Sequence, residues 1–232
     1  LTLPEDDLDY QATFVKACRD AGIKADIIDP KEALLMEPSA NPSIIGAVRV
    51  PDGSVDPFRL SASNMIDAQL HGATILVYTE VTGFIIEQGT VKGVKVLDHK
   101  NGQTAEYRAA VTVNAAGIWG HHIASLAGVN IGMFPAKGSL LIYAHRVNGV
   151  VLNRCRKPAN ADILVPGDTV CVIGTTSTRV TYEECDNIGA TPDEVDLLMA
   201  EGAKLAPCLE HTRILRAYAG VRPLVSADND PS

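Results

Sequence analysis

The chain has 232 residues, 46% of them hydrophobic and 21% charged, with a formal net charge of −8. That length can bury a sizeable core in one large domain or two smaller ones, and the composition is that of an ordinary globular protein. The acidic balance argues against a nucleic-acid-binding surface, no run of about 18 apolar residues marks a membrane helix, and the stretch from Leu1 lacks the basic-then-apolar order of a secretory signal.

The early elements follow from local signals. Glu5, Asp6 and Asp7 precede an amphipathic stretch from Leu8 to Ala21, stopped by Gly22, which predicts a capped surface helix. A short strand is expected from Lys24 to Ile28. Asp29-Pro30 with Glu32 supplies an N-cap, an N1 proline and an N3 carboxylate for a helix through Met36. Pro38 and Pro42 open a loop, Ala47 to Val50 reads as a strand, and Pro51-Asp52-Gly53 turns the chain. Asp56-Pro57 starts a helix whose Phe58, Ala62, Met65, Ile66 and Leu70 share one face, and Gly72 ends it. Extended runs follow at Thr74 to Thr79, Val81 to Glu87, Val91 to Leu97 and Gln103 to Arg108, with Gln88-Gly89 and Asn101-Gly102 as turns.

Ala109 to Gly128 changes period and chemistry in its middle. Ala110 to Val113 reads as a buried strand, Asn114 to Gly117 as a small-residue turn, and Ile118 to Leu126 as a short helix. Such a turn lets a flat or anionic ligand approach the backbone, and the N–H groups at a helix start favour negative charge. The alternative is a purely structural corner. From Asn130 onward the texture is mainly β, with strands expected at Lys137 to Tyr143, Gly149 to Asn153, Ile163 to Val165, Val170 to Ile173 and Arg213 to Ala219. One helix interrupts them from Pro192 to Leu205, with Thr191 and Glu194 as a capping box.

Cys18, Cys155, Cys171, Cys185 and Cys208 form an odd set without a C-x-x-C pair, which suits core thiols in a reducing cytoplasm better than disulfides or a zinc site. His121 and His122 are adjacent and point to different sides of a helix, so they make a poor metal pair, and no metal site is expected. The chain has no G-x-G-x-x-G, P-loop, G-x-S-x-G or HExxH motif, so nucleophilic hydrolase, ATPase and zinc-protease readings have no anchor.

The stretch VNAAGIWG, Val113 to Gly120, resembles flavoproteins of the D-amino-acid oxidase and glycerol-3-phosphate dehydrogenase superfamily. DGSVDPFRL (Asp52 to Leu60), FPAKGSLLI (Phe134 to Ile142), NRCRKPANADILVPGDTVCVIGTTST (Asn153 to Thr178) and RILRAYAGVRPLVSADNDPS (Arg213 to Ser232) sharpen the likeness. Together they are similar to the large catalytic subunits of anaerobic glycerol-3-phosphate dehydrogenases. The resemblance implies an α/β (α+β) FAD-dependent oxidoreductase fold. In it an antiparallel or mixed-sheet substrate domain carries parts of a discontinuous FAD-binding domain. Residues 1–55 would be the first part of the substrate domain, 56–128 part of the FAD-binding domain, and 129–232 the β-rich substrate-binding domain. Family members also carry a glycine-rich strand–turn–helix upstream and a second flavin segment downstream, so an internal fragment is expected, inactive alone and weak in FAD binding.

The resemblance further implies oxidation of glycerol 3-phosphate to dihydroxyacetone phosphate, with a hydride moving to FAD and electrons passing through partner subunits to quinone at the inner face of the cell membrane. It gives Arg222 as a substrate-binding and catalytic residue, since a guanidinium grips phosphate with two parallel hydrogen bonds. The alternative for Arg222 is an ion pair with Asp228 or Asp230. Lys137 would orient substrate or lower the hydroxyl pKa by its charge, or would be a solvated lysine at a strand start. Thr175, Thr176 and Arg179 fall in the block that forms the cavity in relatives. Val81 would hold adenine through its backbone or fill core, and Ala115, Ala116 and Gly117 would pass close to the cofactor. Trp119 would flank the flavin or fill core. The aerobic enzymes have histidine where this chain has Leu140, so a base at that position does not transfer. The competing functions are a superfamily relative acting on an amine or a 2-hydroxy acid, and a non-catalytic binding domain.

Overall fold

The computed structural model describes residues 1–226; Asp228 and Asp230, the alternative partners of Arg222, lie outside them. The chain divides into two compact units. The first comprises Leu1–Asp56, Lys137–Thr178 and Asp186–Gly220; the second comprises Pro57–Ala136, Arg179–Cys185 and the chain from Val221.

In the first unit the local signals yield α1 (Tyr10–Asp20), β1 (Asp26–Ile28), α2 (Pro30–Met36) and β2 (Ala47–Arg49). The Asp29 carboxylate accepts the Lys31 N–H as the N-cap reading requires, whereas Asp9 before α1 makes no such bond. β1 and β2 pair antiparallel. Leu1 to Leu3 run beside β2, with Thr2 N–H donating to the Gly46 carbonyl at 2.9 Å.

The larger sheet contains β6 (Met133–Tyr143), β7 (Leu152–Asn153), β8 (Ile163–Pro166), β9 (Cys171–Gly174), β10 (Thr178–Arg179) and β11 (Ile214–Val225). Its order is β10-β6-β9-β8-β7, with β11 also on β6. Helix α5 (Pro192–Leu205) covers one face. Because side chains alternate along a strand, Leu141, Tyr143, Leu152, Leu164, Cys171 and Ile173 all point to that face and pack with Leu198 and Leu205. Of the four strands contributing those residues, β7, β8 and β9 have only two to four residues, and burial against one helix helps hold them on the longer β6.

The second unit holds α3 (Pro57–Leu70), the antiparallel sheet β3 (Thr79–Glu87), β4 (Thr90–Asp98) and β5 (Thr104–Arg108), and α4 (Gly120–Ser125) after a 3-10 turn. Gln88 and Gly89 both have positive φ, 49° and 74°, the geometry of a two-residue hairpin turn.

Several expectations fail here. Ala110 to Val113 forms no strand, and Val111 and Val113 are exposed, because no described strand lies beside them to complete a ladder. Thr74 to Val77 is likewise irregular and only Thr79 joins β3. The helix after Asn114 to Gly117 is shorter than its apolar pattern suggested and is preceded by the 3-10 turn Gly117–Trp119, so it offers no long helix N-terminus. The face of α3 is not buried: Phe58 is 85% exposed and Leu70 80%. Trp119 is exposed rather than in the core, and Cys208 is exposed while the other four cysteines are buried.

Candidate functional site

The residues singled out in the sequence fall on both units. In the first, β6 carries Lys137 and Ser139 on the same face as Leu141, toward α5. There Lys137 Nζ lies 2.8 Å from a Glu194 carboxylate oxygen and donates to the Gly189 carbonyl at 3.2 Å. Ser139 Oγ donates to Glu194 at 2.9 Å, and Thr176 Oγ1 donates to it at 3.0 Å. The Thr191 N–H adds a bond of 2.8 Å, completing the capping box of α5. Burial alone would push the Glu194 carboxyl up. The hydrogen bonds from Lys137, Thr191, Ser139 and Thr176 outweigh it and hold the group at about 2, an anion at every ordinary pH. Lys137 and Thr176 therefore sit in a buried ion-pair network on the covered face of the sheet.

The opposite face is half-open. Register sets Asn153, Ile163, Gly174 and Leu140 in one row across β7, β8, β9 and β6. A Cβ at Gly174 would stand 2.9 Å from Leu140 Cδ2, so glycine there is what lets the Leu140 side chain lie over β9. Asn153, Ile163 and Gly174 also line a cavity of about 650 Å³, together with Thr175, Phe14 and Val48. Its walls are mainly apolar, and its arginines are ion-paired, Arg49 with Asp26 among them. Arg154, with its side chain 1% exposed, pairs with Asp6, Glu5 and Glu201, and Arg156 pairs with Asp162 and Glu201. Of the predicted first-unit residues, Thr175 faces this cavity and Lys137 and Thr176 do not.

In the second unit, Arg179 lies over the Phe134 ring with its guanidinium carbon 4.7 Å from the centroid. Tyr182 stacks on His121 at 3.7 Å between centroids and donates its hydroxyl to the Met133 carbonyl at 2.7 Å. The segment 179–185 is thereby tied to the start of β6. Arg222 is half-buried in β11. Val81 is half-buried in β3, an edge strand of its sheet, so alternate backbone groups of β3 point away from β4. The turn at Asn114 to Gly117 is stiffened by its asparagine: Nδ2 donates to the Gly120 carbonyl at 2.8 Å, and Oδ1 accepts the Ala116 N–H at 3.2 Å.

The pattern of the family described as "FAD dependent oxidoreductase" matches residues 1–232. The chain belongs to this family. It is 62% identical over 232 residues to an anaerobic glycerol-3-phosphate dehydrogenase subunit of Escherichia coli (strain K12), a match over 100% of this chain and 43% of that protein. The chain thus spans less than half the length of that relative. Among solved structures it superposes on glycine oxidase from Geobacillus kaustophilus with a TM-score of 0.77 at 23% identity, over 97% of this chain and 58% of the other. It superposes on glycerol-3-phosphate dehydrogenase from Bacillus halodurans, complexed with FAD, with a TM-score of 0.72 at 23% identity, over 89% and 45%. These two likenesses establish a fold held in common with FAD-dependent oxidoreductases.

The turn at Ala115 to Gly117 fits the cofactor of this family. Ala115 and Gly117 are exposed, a Cβ at Gly117 would meet nothing within 4 Å, and Gly117 has φ of 56°. A planar group can therefore approach this backbone unobstructed. Among the described residues no helix is long and apolar enough to cross a membrane.

Sequence reading of the site missed Glu194, seen only as half of a capping box. Its partners outside that box, Thr176, Ser139 and Lys137, lie 18 to 57 residues away along the chain, and no local pattern links them.

Proposed function

We propose that the longer protein containing this chain oxidises glycerol 3-phosphate to dihydroxyacetone phosphate, with FAD as the cofactor. The observation that carries this reading is 62% identity, over every residue of the chain, to a protein named as part of an anaerobic glycerol-3-phosphate dehydrogenase. FAD, when bound, supplies the acceptor for the hydride that leaves C2 of the substrate. Ala115, Ala116 and Gly117 hold the cofactor by close backbone approach, and Val81 holds it through the outer edge of β3.

Arg222 grips the phosphate with paired, charge-assisted hydrogen bonds. Arg179 contributes a second cation of the same unit, and its Phe134 contact keeps the guanidinium plane oriented. Thr175 supplies a hydroxyl at the wall of a mainly apolar cavity. Leu140 has no proton acceptor, so the base that takes the C2 hydroxyl proton is another group. Lys137 and Thr176 act from the covered side of the sheet, by holding the strands that form this wall. The reducing equivalents pass through partner subunits to quinone, at the cytoplasmic face of the membrane.

The test is anaerobic addition of glycerol 3-phosphate to the full-length, FAD-loaded protein. Bleaching of the flavin absorbance is expected, and Arg222→Ala should lower kcat/KM about 100-fold, as expected for losing two hydrogen bonds to a charged group. A flavin spectrum that ignores glycerol 3-phosphate but is bleached by an amine or a 2-hydroxy acid overturns the reading.

A further inference from the structure

Glu194 joins three separate stretches of the first unit. Its carboxylate accepts from Lys137 and Ser139 on β6, from Thr176 just beyond β9, and from Thr191 at the start of α5. Regular pairing between β6 and β9 ends at Leu140 and Gly174. Between that point and β10, where the chain pairs with β6 again, Thr176 bridges the gap with one side-chain and one backbone bond. The Ser139 N–H donates to Thr176 Oγ1 at 2.9 Å, and the Thr176 N–H donates to the Ser139 carbonyl at 3.3 Å. With Oγ1 accepting from the backbone, the hydroxyl proton is directed to Glu194. Thr176 is 1% exposed and Ser139 fully buried, so water cannot replace a partner lost here.

Thr175, between Gly174 and this clasp, faces the cavity, and its carbonyl accepts the Ala161 N–H at 3.0 Å. Ser139 stands directly before Leu140, which lies on the same open face. A shift of the clasp is therefore transmitted through one peptide unit to Thr175 at the wall of the cavity, and through one peptide unit to Leu140, which lies over the cavity-lining Gly174.

The geometry points to Glu194 as a positioning residue for the cavity wall. Through Thr176 and Ser139 it fixes Thr175 and Leu140 from behind the sheet, and by pairing with Lys137 it holds that ammonium on the covered face. This rests on the proposed oxidation of glycerol 3-phosphate. The same carboxylate also serves the cap of α5, since it accepts the Thr191 N–H and hydroxyl, so the control variant loosens α5 at its far end, where Asn41 Nδ2 donates to the Lys204 carbonyl at 2.8 Å.

The experiment compares Glu194→Gln, Thr176→Val, their double variant and Asn41→Ala in the full-length, FAD-loaded protein. The readouts are kcat and KM for glycerol 3-phosphate per bound flavin, and the thermal midpoint. Glu194→Gln and Thr176→Val should each lower kcat/KM about tenfold with flavin content unchanged. The double variant should be no worse than the poorer single, since both cut one link. Asn41→Ala should lower the thermal midpoint and leave kcat/KM within twofold. Thr176→Val exchanges a hydroxyl for a methyl of similar size, and carries the test even where Glu194→Gln does not fold. Singles that keep wild-type kcat/KM while only melting earlier, or losses that multiply in the double variant, overturn the inference. A wild-type protein that leaves glycerol 3-phosphate unoxidised overturns the functional reading, and this inference with it.

Discussion

Helices α3 and α5 are both 14 residues long, both begin with proline, and both show an apolar face in their sequences. They end in opposite circumstances. Leu198 and Leu205 of α5 are fully buried against the sheet, whereas α3 buries none of its residues. Helix α5 is also held at both ends, by the Thr191 and Glu194 capping box and by Asn41, whose N–H and Nδ2 donate to the carbonyls of Leu205 and Lys204 at 2.8 Å. Amphipathic spacing is thus a request for a partner surface, and it says nothing of whether one lies in reach.

The largest effect on the α5 side should come from Arg154→Met. Arg154 links Glu201 of α5 to Asp6, and its loss leaves the Asp6 carboxylate, 2% exposed, with only the longer 3.8 Å contact to Arg156. A cost of about 3–5 kcal/mol in urea unfolding of the 232-residue chain is expected. Leu198→Ala opens a cavity under the helix and should cost roughly 2–5 kcal/mol by the same measurement. An effect below about 1 kcal/mol from Leu198→Ala would erase the contrast between the helices.

The pH dependence sharpens it further. Glu194 is held at about 2 in the folded chain, well below its ordinary carboxylate value of 4.5. A depressed folded pKa contributes stability that is complete above the unfolded value and is lost as pH falls through the folded one. The stability difference between wild type and Glu194→Gln should accordingly be flat above pH 5 or so and shrink from about 4.5 toward about 2. A difference that grew on acidification would contradict the ion pair with Lys137.

Thr191→Ala should cost about 1 kcal/mol, the usual worth of an N-cap, while Asp9→Ala before α1 should cost close to nothing because Asp9 makes no capping bond. The smallest effect belongs to α3. Leu70→Ala should change stability by less than about 0.5 kcal/mol in thermal unfolding of the 232-residue chain. A cost of about 2 kcal/mol would show that this face is covered in solution.

Much of the fold was legible from neighbours in sequence. Asp29-Pro30, Thr191 with Glu194, and Gln88-Gly89 each act within a few residues, and each marks a boundary found in the structure. The sheet strands were legible as β-rich runs, although β10, two residues long, was too short to form one. Ala110 to Val113 has strand-like composition but no ladder partner among the described residues, and a strand is defined by its partner. The site divides the same way. The small residues of Ala115 to Gly117 signal an open backbone at sight, and the structure leaves that backbone exposed. The difference between Thr175 and Thr176 could not be seen, since neighbouring threonines look alike until the sheet decides which one meets the cavity and which meets Glu194.

The sequence by itself determined where helices start, where hairpins turn and which family the chain resembles, because caps, turn residues and contiguous motifs act over a few bonds of backbone. Only the tertiary structure decided which apolar faces are covered, that Lys137 is spent on Glu194, and that Leu140 lies over Gly174. Those outcomes depend on residues 34 to 57 positions apart being brought within a few ångströms, and the burial that fixes such contacts is a property of the packed sheet and helix together.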